Sequence, residues 1–405
     1  MVSRNPEIAH LQANYLFVEI GARKKGLLAK NPKADLINLG IGDTTEPIPA
    51  VIVEALTKKT KQLGSSTEYT GYGKAIGIQK LREGIAQKMY KNSISADDIF
   101  ISDGAKPDLG RLQILFGRHS TLAVQDPSYP VYIATSVMTG KTKGYNSDSG
   151  QYDAIVYMPC KPENSFCPNL EQLPRTDLIY ICSPNNPTGA VLTHQQLKKL
   201  VHIAHKNRSL IIFDAAYAGF IRDPSLPRSI YEVEGAEEVA IEVSSFSKLA
   251  GFTGVRLGWS VVPRQLHFDD GSSVQQDWIQ IVSTFFNSAS NIAQAGGLAA
   301  ISDEGLQQSQ ILCDYYLDNA NILRDAIESA GYTCFGGDNA PYLWTDIKGE
   351  KSWELFDRLL HKAHLVTTPG AGFGPTGEGF LRLSAFGKRD QIVEAAQRLK
   401  NALSS

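Results

Sequence analysis

Seven short apolar runs between residues 99 and 262 restrict the fold of this chain more than any other feature of its sequence. They are Ile99–Ile101, Leu122–Val124, Ala154–Tyr157, Leu178–Cys182, Leu210–Phe213, Val239–Val243 and Leu257–Val262. Most lack an alternation of apolar and polar side chains, as is typical of strands buried on both faces. Helical periodicity separates them, as in Thr193–Lys206, with Thr193 as the expected N-cap. The pattern predicts a large α/β domain with a mostly parallel central sheet.

The pattern changes after about residue 290, where strands and helices alternate in a way that folds back locally. The predicted elements are a long helix over Leu306–Gly331, strands at Tyr342–Ile347 and Phe380–Ala385, and helices at Ser352–His364 and Lys388–Leu403. Such an order predicts a smaller α+β domain. We therefore divide the chain into an N-terminal arm with part of the small domain (1–47), the large domain (48–290) and the small domain (291–405).

Composition excludes several classes of protein. The 405 residues carry 40 Lys and Arg against 42 Asp and Glu, a net charge of −2, so neither nucleic acid nor a membrane surface is an expected partner. The five cysteines are scattered without a C-x-x-C pair, which argues against a disulfide framework and a zinc site. No continuous apolar segment resembles a secretory signal or a membrane span. We expect a cytoplasmic protein with reduced thiols and no metal.

Polar clusters follow the ends of several predicted strands, where ligand sites of open α/β sheets form. The clusters are Ser102–Lys106, Ser183–Gly189, Asp214–Tyr217, Ser244–Lys248 and Gly254–Trp259. Ser245, Ser247 and Arg256 bring two hydroxyls and a cation together, which are the components of a phosphate site. Asp214 ends a very apolar run, where an unpaired carboxylate is costly. It is either a helix N-cap or the partner of a buried cation, such as a protonated ring nitrogen.

The order and spacing of these motifs resemble the fold-type I pyridoxal 5′-phosphate (PLP) aminotransferases. The motifs are SPNNPTG at Ser183–Gly189, Asp214 with Tyr217, and Ser245-x-Ser247-Lys248 with Arg256. Further segments resemble the L,L-diaminopimelate aminotransferase family, and the similarity extends from about residue 15 to Lys388. These are Leu39–Pro47, Gly71–Gly73, Asp126–Pro130 and Phe252–Trp259.

The resemblance implies PLP as the cofactor and assigns a set of residues to it. They are Tyr72, Ala105, Lys106, Tyr129, Asn186, Asp214, Tyr217, Ser245, Ser247, Lys248, Arg256 and Asn287. Lys248 would hold the cofactor covalently and carry a proton, and Asp214 would pair with the ring nitrogen. Tyr217 and Asn186 would hydrogen-bond the phenolic oxygen, and Tyr129 would stack on the ring. Lys248, Asp214 and Tyr217 are thus the implied catalytic residues.

The resemblance also implies the substrates and a shared site. The implied substrate contacts are Tyr15, Gly42, Lys106, Tyr129, Asn186, Asn287 and Arg382. Arg382 would clamp the α-carboxylate, and the Lys106 side chain would contact the distal end of a long substrate. The implied reaction is transamination between L,L-diaminopimelate and 2-oxoglutarate, giving tetrahydrodipicolinate and L-glutamate for lysine biosynthesis. Tyr72 would contact the phosphate in the neighbouring subunit, which requires a homodimer.

One segment departs from the family pattern. The family often has an acidic residue shortly after Gly-Tyr-Gly, suited to the distal ammonium, whereas here Lys74, Ala75 and Ile76 follow. Asp43 and Glu46 are the acids that could replace it.

The main alternative function is that of an aspartate, aromatic or alanine aminotransferase of the same fold. A PLP-dependent lyase or decarboxylase and a PLP-sensing regulator are further alternatives, although the regulator needs a DNA-binding domain. A P-loop nucleotide site is excluded because its motif is absent.

Overall fold

The computed structural model describes residues 2–11, 16–142 and 144–404. The α-helices are Leu16–Lys30, Ala50–Gln62, Gln79–Tyr90, Ala105–Leu112, Val131–Met138, His194–Asn207, Phe246–Leu249, Val274–Phe285, Asn291–Ala300, Asp303–Ser329, Ser352–Arg358 and Arg389–Leu403. Short 3₁₀ turns link many of them. In this part of the chain no helix combines the length and the apolar composition that crossing a bilayer requires.

All seven apolar runs form strands of one sheet, as predicted. In spatial order the strands are Ile99–Ser102, Gly258–Val261, Ala240–Ser245, Leu210–Asp214, Leu178–Cys182, Leu122–Asp126 and Ile155–Pro159. Gly258–Val261 is antiparallel to both neighbours, and the other pairs of adjacent strands are parallel. Six strands therefore point the same way and place their carboxyl ends at one edge of the sheet. We call this sheet the large sheet.

The large sheet is covered on both faces, which explains the continuous apolar runs. Successive residues of one strand enter different cores: Ile211 and Phe213 pack on one face, and Ile212 on the other. Tyr180 and Ile179 on the next strand divide in the same way. Because successive side chains of a strand point to opposite faces, a strand between two helical layers has to be apolar at nearly every position.

The predicted helix behind Thr193 is confirmed, with an observed range of His194–Asn207. The Thr193 hydroxyl accepts a hydrogen bond from the Gln196 amide, and the Gln196 side chain accepts one from the Thr193 amide. This capping box satisfies amide groups that the first helical turn leaves unpaired. The helix packs its apolar side, including Leu197 and Leu200, into the core of the large sheet.

A second, smaller sheet lies in the C-terminal part of the chain and is entirely antiparallel. Its strands in spatial order are Thr333–Gly336, Tyr342–Asp346, Phe380–Ser384 and Thr368–Pro369. We call it the small sheet.

The long helix Asp303–Ser329 begins three residues before the predicted start because Ser302 caps it. The helix predicted at Ser352–His364 is α-helical to Arg358 and continues as a π-helical turn to Ala363.

Two features bear on the division into domains. Helix Asn291–Ala300 packs against Ala50–Gln62 and contributes Ala293 and Ala300 to the core of the large sheet. The long helix Asp303–Ser329 contributes Ala320 and Leu323, from its second half, to the core of the small sheet. The boundaries at 47/48 and 290/291 stay predictions. The packing of Asn291–Ala300 supports a proposal that the second boundary lies within the long helix.

Candidate active site

A cavity of about 550 Å³ lies where the carboxyl edge of the large sheet faces the small sheet. Asp214 and Ser245 are the last residues of their strands in the large sheet, and Arg382 belongs to the small sheet. Most residues selected from the sequence lie in its wall. They are Gly42, Ala105, Lys106, Tyr129, Asn186, Asp214, Tyr217, Ser245, Ser247, Lys248, Arg256 and Arg382. The cavity therefore gathers residues that are up to 340 positions apart.

Two of the selected residues that the structure describes, Tyr72 and Asn287, do not line this cavity. Tyr72 is 92% exposed, and Asn287 is also exposed, with a left-handed backbone at φ 58°. The two segments lie close together, since the Asn291 side chain donates a hydrogen bond of 2.8 Å to the carbonyl of Gly71. Tyr15 lies outside the described residues. A single chain thus places Tyr72 and Asn287 on an outer surface.

Lys248 lies in the short helix Phe246–Leu249 that follows a strand of the large sheet. The Ser245 hydroxyl caps this helix by accepting a hydrogen bond from the Ser247 amide at 3.0 Å. The Lys248 ammonium donates a hydrogen bond to the carbonyl of Gly42 and lies 5.3 Å from the centre of the Phe386 ring. Burial lowers the pKa of Lys248 to about 8, although the Asp43 carboxylate partly offsets this effect. A larger fraction of the amine is therefore neutral and nucleophilic near pH 7.

Asp214 is a buried carboxylate with two hydrogen-bond donors. The Tyr132 hydroxyl donates to Oδ2 at 2.8 Å, and the Ala216 amide donates to Oδ1 at 3.0 Å. Burial raises the pKa of Asp214, and the two donors oppose this effect. In the described part of the chain no basic side chain pairs with this carboxylate. A cation that enters the cavity would gain a partner there, as the sequence suggested.

The phosphate components predicted from the sequence line the same cavity. Helix Ala105–Leu112 begins there, so its first amides are unpaired donors. The Ser245 hydroxyl donates to Ser247 Oγ at 2.8 Å, and Arg256 Nη1 approaches the same oxygen at 3.4 Å. Gly104 has φ +131°, and a Cβ there would lie 2.6 Å from Arg256 Nη2. Glycine suits this position because L side chains rarely adopt such a φ, and because it leaves room for the Arg256 guanidinium beside the start of the helix.

Arg382 is almost completely buried and has neutral partners. It donates from Nη1 to Asn186 Oδ1 at 2.7 Å and from Nη2 to the Gly40 carbonyl at 2.6 Å. Its Nε has no partner within the described structure, and no carboxylate there pairs with the guanidinium. The ring of Tyr342 lies 4.4 Å from the guanidinium carbon. A buried, permanently charged group without an anion is expensive unless a ligand supplies one.

Tyr129 and Lys106 lie together in the cavity wall. The Lys106 ammonium is 6.0 Å from the centre of the Tyr129 ring, and that ring meets Tyr132 edge-on at a centroid distance of 5.9 Å. The aromatic ring of Tyr129 is half-buried and borders the cavity. It is suitably placed to cover an aromatic ligand.

Sequence reasoning missed two tyrosines of the site. Tyr132 bonds to Asp214, and Tyr342 lies 2.7 Å, oxygen to oxygen, from Tyr217. Tyr132 follows Tyr129 by three residues, which is one helical turn, and this spacing could have indicated it. Tyr342 lies on a strand that pairs with the strand of Arg382. Its contact with Tyr217 spans 125 residues, and no local pattern indicates it.

Among the described residues, no group of three or more His, Cys, Asp or Glu side chains is arranged to hold a metal ion.

Comparison with known proteins gives consistent results. The model of the family "Aminotransferase class I and II" matches residues 34–399. An LL-diaminopimelate aminotransferase of Protochlamydia amoebophila is 58% identical over 100% of this chain and 98% of its own length. A chloroplastic LL-diaminopimelate aminotransferase of Arabidopsis thaliana is 52% identical over 98% of this chain and 87% of its own. The solved L,L-diaminopimelate aminotransferase of Chlamydomonas reinhardtii superposes with a TM-score of 0.95 and 51% identity, covering 99% of this chain and 98% of that one.

Proposed function

Because the chain belongs to the class I and II aminotransferase family, we propose that it transfers an amino group from L,L-diaminopimelate to 2-oxoglutarate. The products are L-glutamate and tetrahydrodipicolinate, which forms by spontaneous ring closure, and the reaction serves lysine biosynthesis. The names of relatives at 52% and 58% identity support this substrate and do not favour the aspartate or aromatic alternative. The predicted fold-type I architecture is confirmed by the solved relative. The cytoplasmic location stays a prediction.

One observation carries the proposal: the buried guanidinium of Arg382 faces a cavity that also holds a lysine of lowered pKa. Both proposed substrates and both products carry an α-carboxylate or its equivalent. A planar guanidinium binds a carboxylate through two parallel hydrogen bonds and therefore fixes its orientation as well as its charge. The unpartnered Nε of Arg382 leaves a donor free for such a ligand.

Enzymes of this family use PLP, and the residues of the cavity fit this group. The buried Asp214 carboxylate lacks a cationic partner, which a protonated pyridine nitrogen would supply. The amides of the helix that starts at Ala105, together with Ser245, Ser247 and Arg256, form a set of donors suited to a phosphate dianion. When bound, PLP holds the amino group between the two half-reactions and stabilises negative charge at the substrate α-carbon.

The residues of the chain then have distinct tasks. Lys248 holds the cofactor and moves a proton to and from the α-carbon of the substrate, for which its lowered pKa of about 8 is suitable. Asp214 keeps the ring nitrogen protonated, since a buried carboxylate stabilises a cation beside it. Arg382 orients the α-carboxylate so that the α-hydrogen lies within reach of Lys248. Tyr129 covers the ring.

We propose that the distal ammonium of the long substrate is bound by Asp43. This residue lines the cavity, whereas Glu46 is not part of its wall. The influence of Asp43 on the pKa of Lys248 indicates that its charge acts inside the site. Lys106, which lies near Tyr129 in the cavity wall, is the proposed contact for the distal carboxylate.

The half-reaction with a single amino donor tests this function. PLP-loaded protein is mixed with L,L-diaminopimelate, meso-diaminopimelate, glutamate, aspartate or tyrosine, and the loss of the cofactor absorbance band is followed. We expect L,L-diaminopimelate and glutamate to react at least tenfold more efficiently than aspartate and tyrosine. Asp43→Asn should lower the ratio of kcat/KM for L,L-diaminopimelate to that for glutamate. Glu46→Gln, the matched control, should leave this ratio unchanged.

Two results would contradict different parts of the proposal. If aspartate or tyrosine reacts tenfold faster than diaminopimelate, a difference of about 1.4 kcal/mol, the substrate assignment is wrong while the chemistry stands. If Glu46→Gln changes the ratio and Asp43→Asn does not, the distal contact is wrong. Equal kcat/KM values for the L,L and meso isomers would mean that Asp43 does not distinguish the configuration at the distal carbon.

We propose further that the protein is a homodimer in which Tyr72 and Asn287 contact the site of the partner. The family resemblance of Tyr72 and its 92% exposure support this proposal, because a residue with a binding role is not expected to point into solvent. Tyr69 lies near Tyr72 in the sequence and Phe285 lies near Asn287. Both are large apolar residues, and each is 65% exposed. An apolar surface of this kind is suited to burial between subunits.

Mixed dimers test the shared site. A Lys248→Ala chain combined with a Tyr72→Phe chain puts both defects in one site and leaves the other intact, so we expect about half of the wild-type activity per dimer. The Tyr72→Phe homodimer should be roughly 10- to 100-fold less active because a hydrogen bond to a charged phosphate is lost. As a control, a Lys248→Ala, Tyr72→Phe chain combined with wild-type chain puts one defect in each site and should stay weakly active. The reverse pattern would mean that Tyr72 serves the site of its own chain.

A further inference from the structure

Two buried tyrosines, Tyr217 and Tyr342, form a hydroxyl pair in the wall of the cavity. Their oxygens are 2.7 Å apart, and their rings meet edge-on at a centroid distance of 5.2 Å and an angle of 69°. Tyr217 is 6% exposed and Tyr342 is 1% exposed. The pair is therefore shielded from bulk water, and each hydroxyl depends on the other for its hydrogen bond.

Each phenol has a single proton, so the pair can be arranged in two ways. If Tyr217 donates to Tyr342, the proton of Tyr217 is used within the pair. If Tyr342 donates to Tyr217, the proton of Tyr217 remains free for an acceptor in the cavity. In the described part of the chain, neither hydroxyl has another hydrogen-bond partner. The second arrangement is the one that allows Tyr217 to act on a ligand.

Packing holds Tyr342 in this position. Its strand, Tyr342–Asp346, pairs along its whole length with the strand that carries Arg382. The Arg382 guanidinium lies over its ring at 4.4 Å, and Phe386 meets the ring at a centroid distance of 6.1 Å. A Cβ at Gly42 would overlap the Tyr342 hydroxyl, so glycine leaves the space that this hydroxyl occupies. A phenol fixed in this way by strand pairing and packing is suited to orienting a neighbour.

We propose that Tyr342 is a positioning residue: it donates its proton to Tyr217 and thereby directs the Tyr217 proton to the phenolic oxygen of bound PLP. This inference rests on the proposed function, because it requires PLP at Lys248. A hydrogen bond received from Tyr342 makes the Tyr217 hydroxyl a stronger donor. That donor would stabilise the negative charge on the phenolic oxygen of bound PLP. Without the donor, this charge would more strongly favour a proton on the neighbouring nitrogen, which joins Lys248 to PLP. The pair thus lowers the pKa of that nitrogen.

Other charged and titratable groups also face the two tyrosines. A substitution that removes only the Tyr342 hydroxyl leaves these groups in the protein. Arg382 and Cys182 both act on the two phenols, from a strand of the small sheet and from a strand of the large sheet. Asp214 and Lys248 line the same cavity. A variant that keeps these four groups and the ring of Tyr342 isolates the contribution of one hydroxyl.

Tyr342→Phe tests the inference through the absorbance of bound PLP, measured as a function of pH without substrate. We expect the midpoint of this titration to rise by roughly 0.5 to 1 pH unit, the size of one net hydrogen bond. In the Tyr217→Phe background the same substitution should cause no further shift. Tyr231→Phe is the matched control, because it removes the hydroxyl of another buried tyrosine, one that donates to the Ala240 carbonyl outside the cavity. Its midpoint should equal that of the wild type.

The outcomes separate this inference from the proposed function. If wild-type protein takes up no PLP that borohydride can fix to Lys248, the proposed function and this inference both fail. If PLP is fixed normally and Tyr342→Phe leaves the midpoint unchanged, the inference alone fails. A shift of equal size in the Tyr217→Phe background would show that Tyr342 does not act through Tyr217 and would also overturn it. Circular dichroism and melting of the apo-protein verify that each variant folds.

Discussion

Replacing Lys248 with alanine is expected to lower the rate of transamination by at least about 10⁴-fold, the upper range for the loss of a positioned acid–base group. Lys248 lies in the cavity wall and its pKa is lowered to about 8; in the proposed function it supplies both the attachment of PLP and the proton transfer. The donors around Ser245 and Arg256 remain in this variant. We therefore expect PLP to bind reversibly and to be lost on gel filtration, with no covalent product after borohydride reduction.

Lys141 offers a matched control for this experiment. It is also buried, its pKa is likewise lowered to about 8, and it donates to the Gln113 carbonyl at 2.9 Å. It lies outside the cavity, so Lys141→Met should reduce stability and leave kcat and borohydride fixation within a few-fold of the wild type. Near-normal turnover of Lys248→Ala, with PLP still fixed by borohydride, would contradict the assignment of Lys248.

Replacing Arg382 with alanine is expected to impair both half-reactions by similar factors. The lost interaction is a pair of charge-assisted hydrogen bonds worth roughly 1.5–3 kcal/mol each, so kcat/KM should fall by about 10²- to 10⁴-fold for the amino donor and for 2-oxoglutarate. Arg382→Lys keeps the charge without the planar pair of donors and should recover a small part of the loss. Uptake of PLP by the apo-protein, followed by absorbance, should remain intact in both variants.

A substitution at Arg82 is the control for Arg382→Ala, because it removes a buried guanidinium from another part of the protein. Arg82 is 3% exposed, donates to the Ala96 carbonyl at 2.8 Å and, like Arg382, has a buried Nε without a partner. Because it lies outside the cavity, Arg82→Met should lower the melting temperature without a selective change in kcat/KM. A loss that affects diaminopimelate but not 2-oxoglutarate in Arg382→Ala would show that the guanidinium binds the distal carboxylate instead.

The strands of the large sheet could be predicted because their signal is local. An apolar run such as Leu210–Phe213 has to be buried on both faces, and the polar residue that ends it, Asp214, then falls at the edge where ligands bind. The N-cap at Thr193 could also be predicted from local sequence, because its partner Gln196 is only three residues away. Features fixed by neighbours in sequence were therefore accessible without a structure.

The elements that escaped prediction depend on contacts between distant residues. The packing of Asn291–Ala300 is one such case, and the domain boundary at 290/291 stays a prediction. Gly296 and Gly297 of this helix pack closely on Leu56 and Leu257, where added Cβ atoms would overlap those side chains. The hydrogen bond from Tyr132 to Asp214 joins residues 82 positions apart. Pairings of this kind arise from tertiary packing, which spacing within one segment does not encode.

The reversed direction of strand Gly258–Val261 has a consequence for how the site is encoded along the chain. In a parallel strand the residue after the strand reaches the ligand edge, but here the residues before it do, so Arg256 returns to the edge only nine positions after Ser247. A short loop of the chain thus brings Ser245, Ser247 and Arg256 of the proposed phosphate site together, at a small entropic cost. Arg382, Gly42 and Asp43 come from the two ends of the sequence. The serine and arginine part of the proposed phosphate site is therefore encoded within one short segment, whereas the proposed substrate contacts come from segments about 340 residues apart.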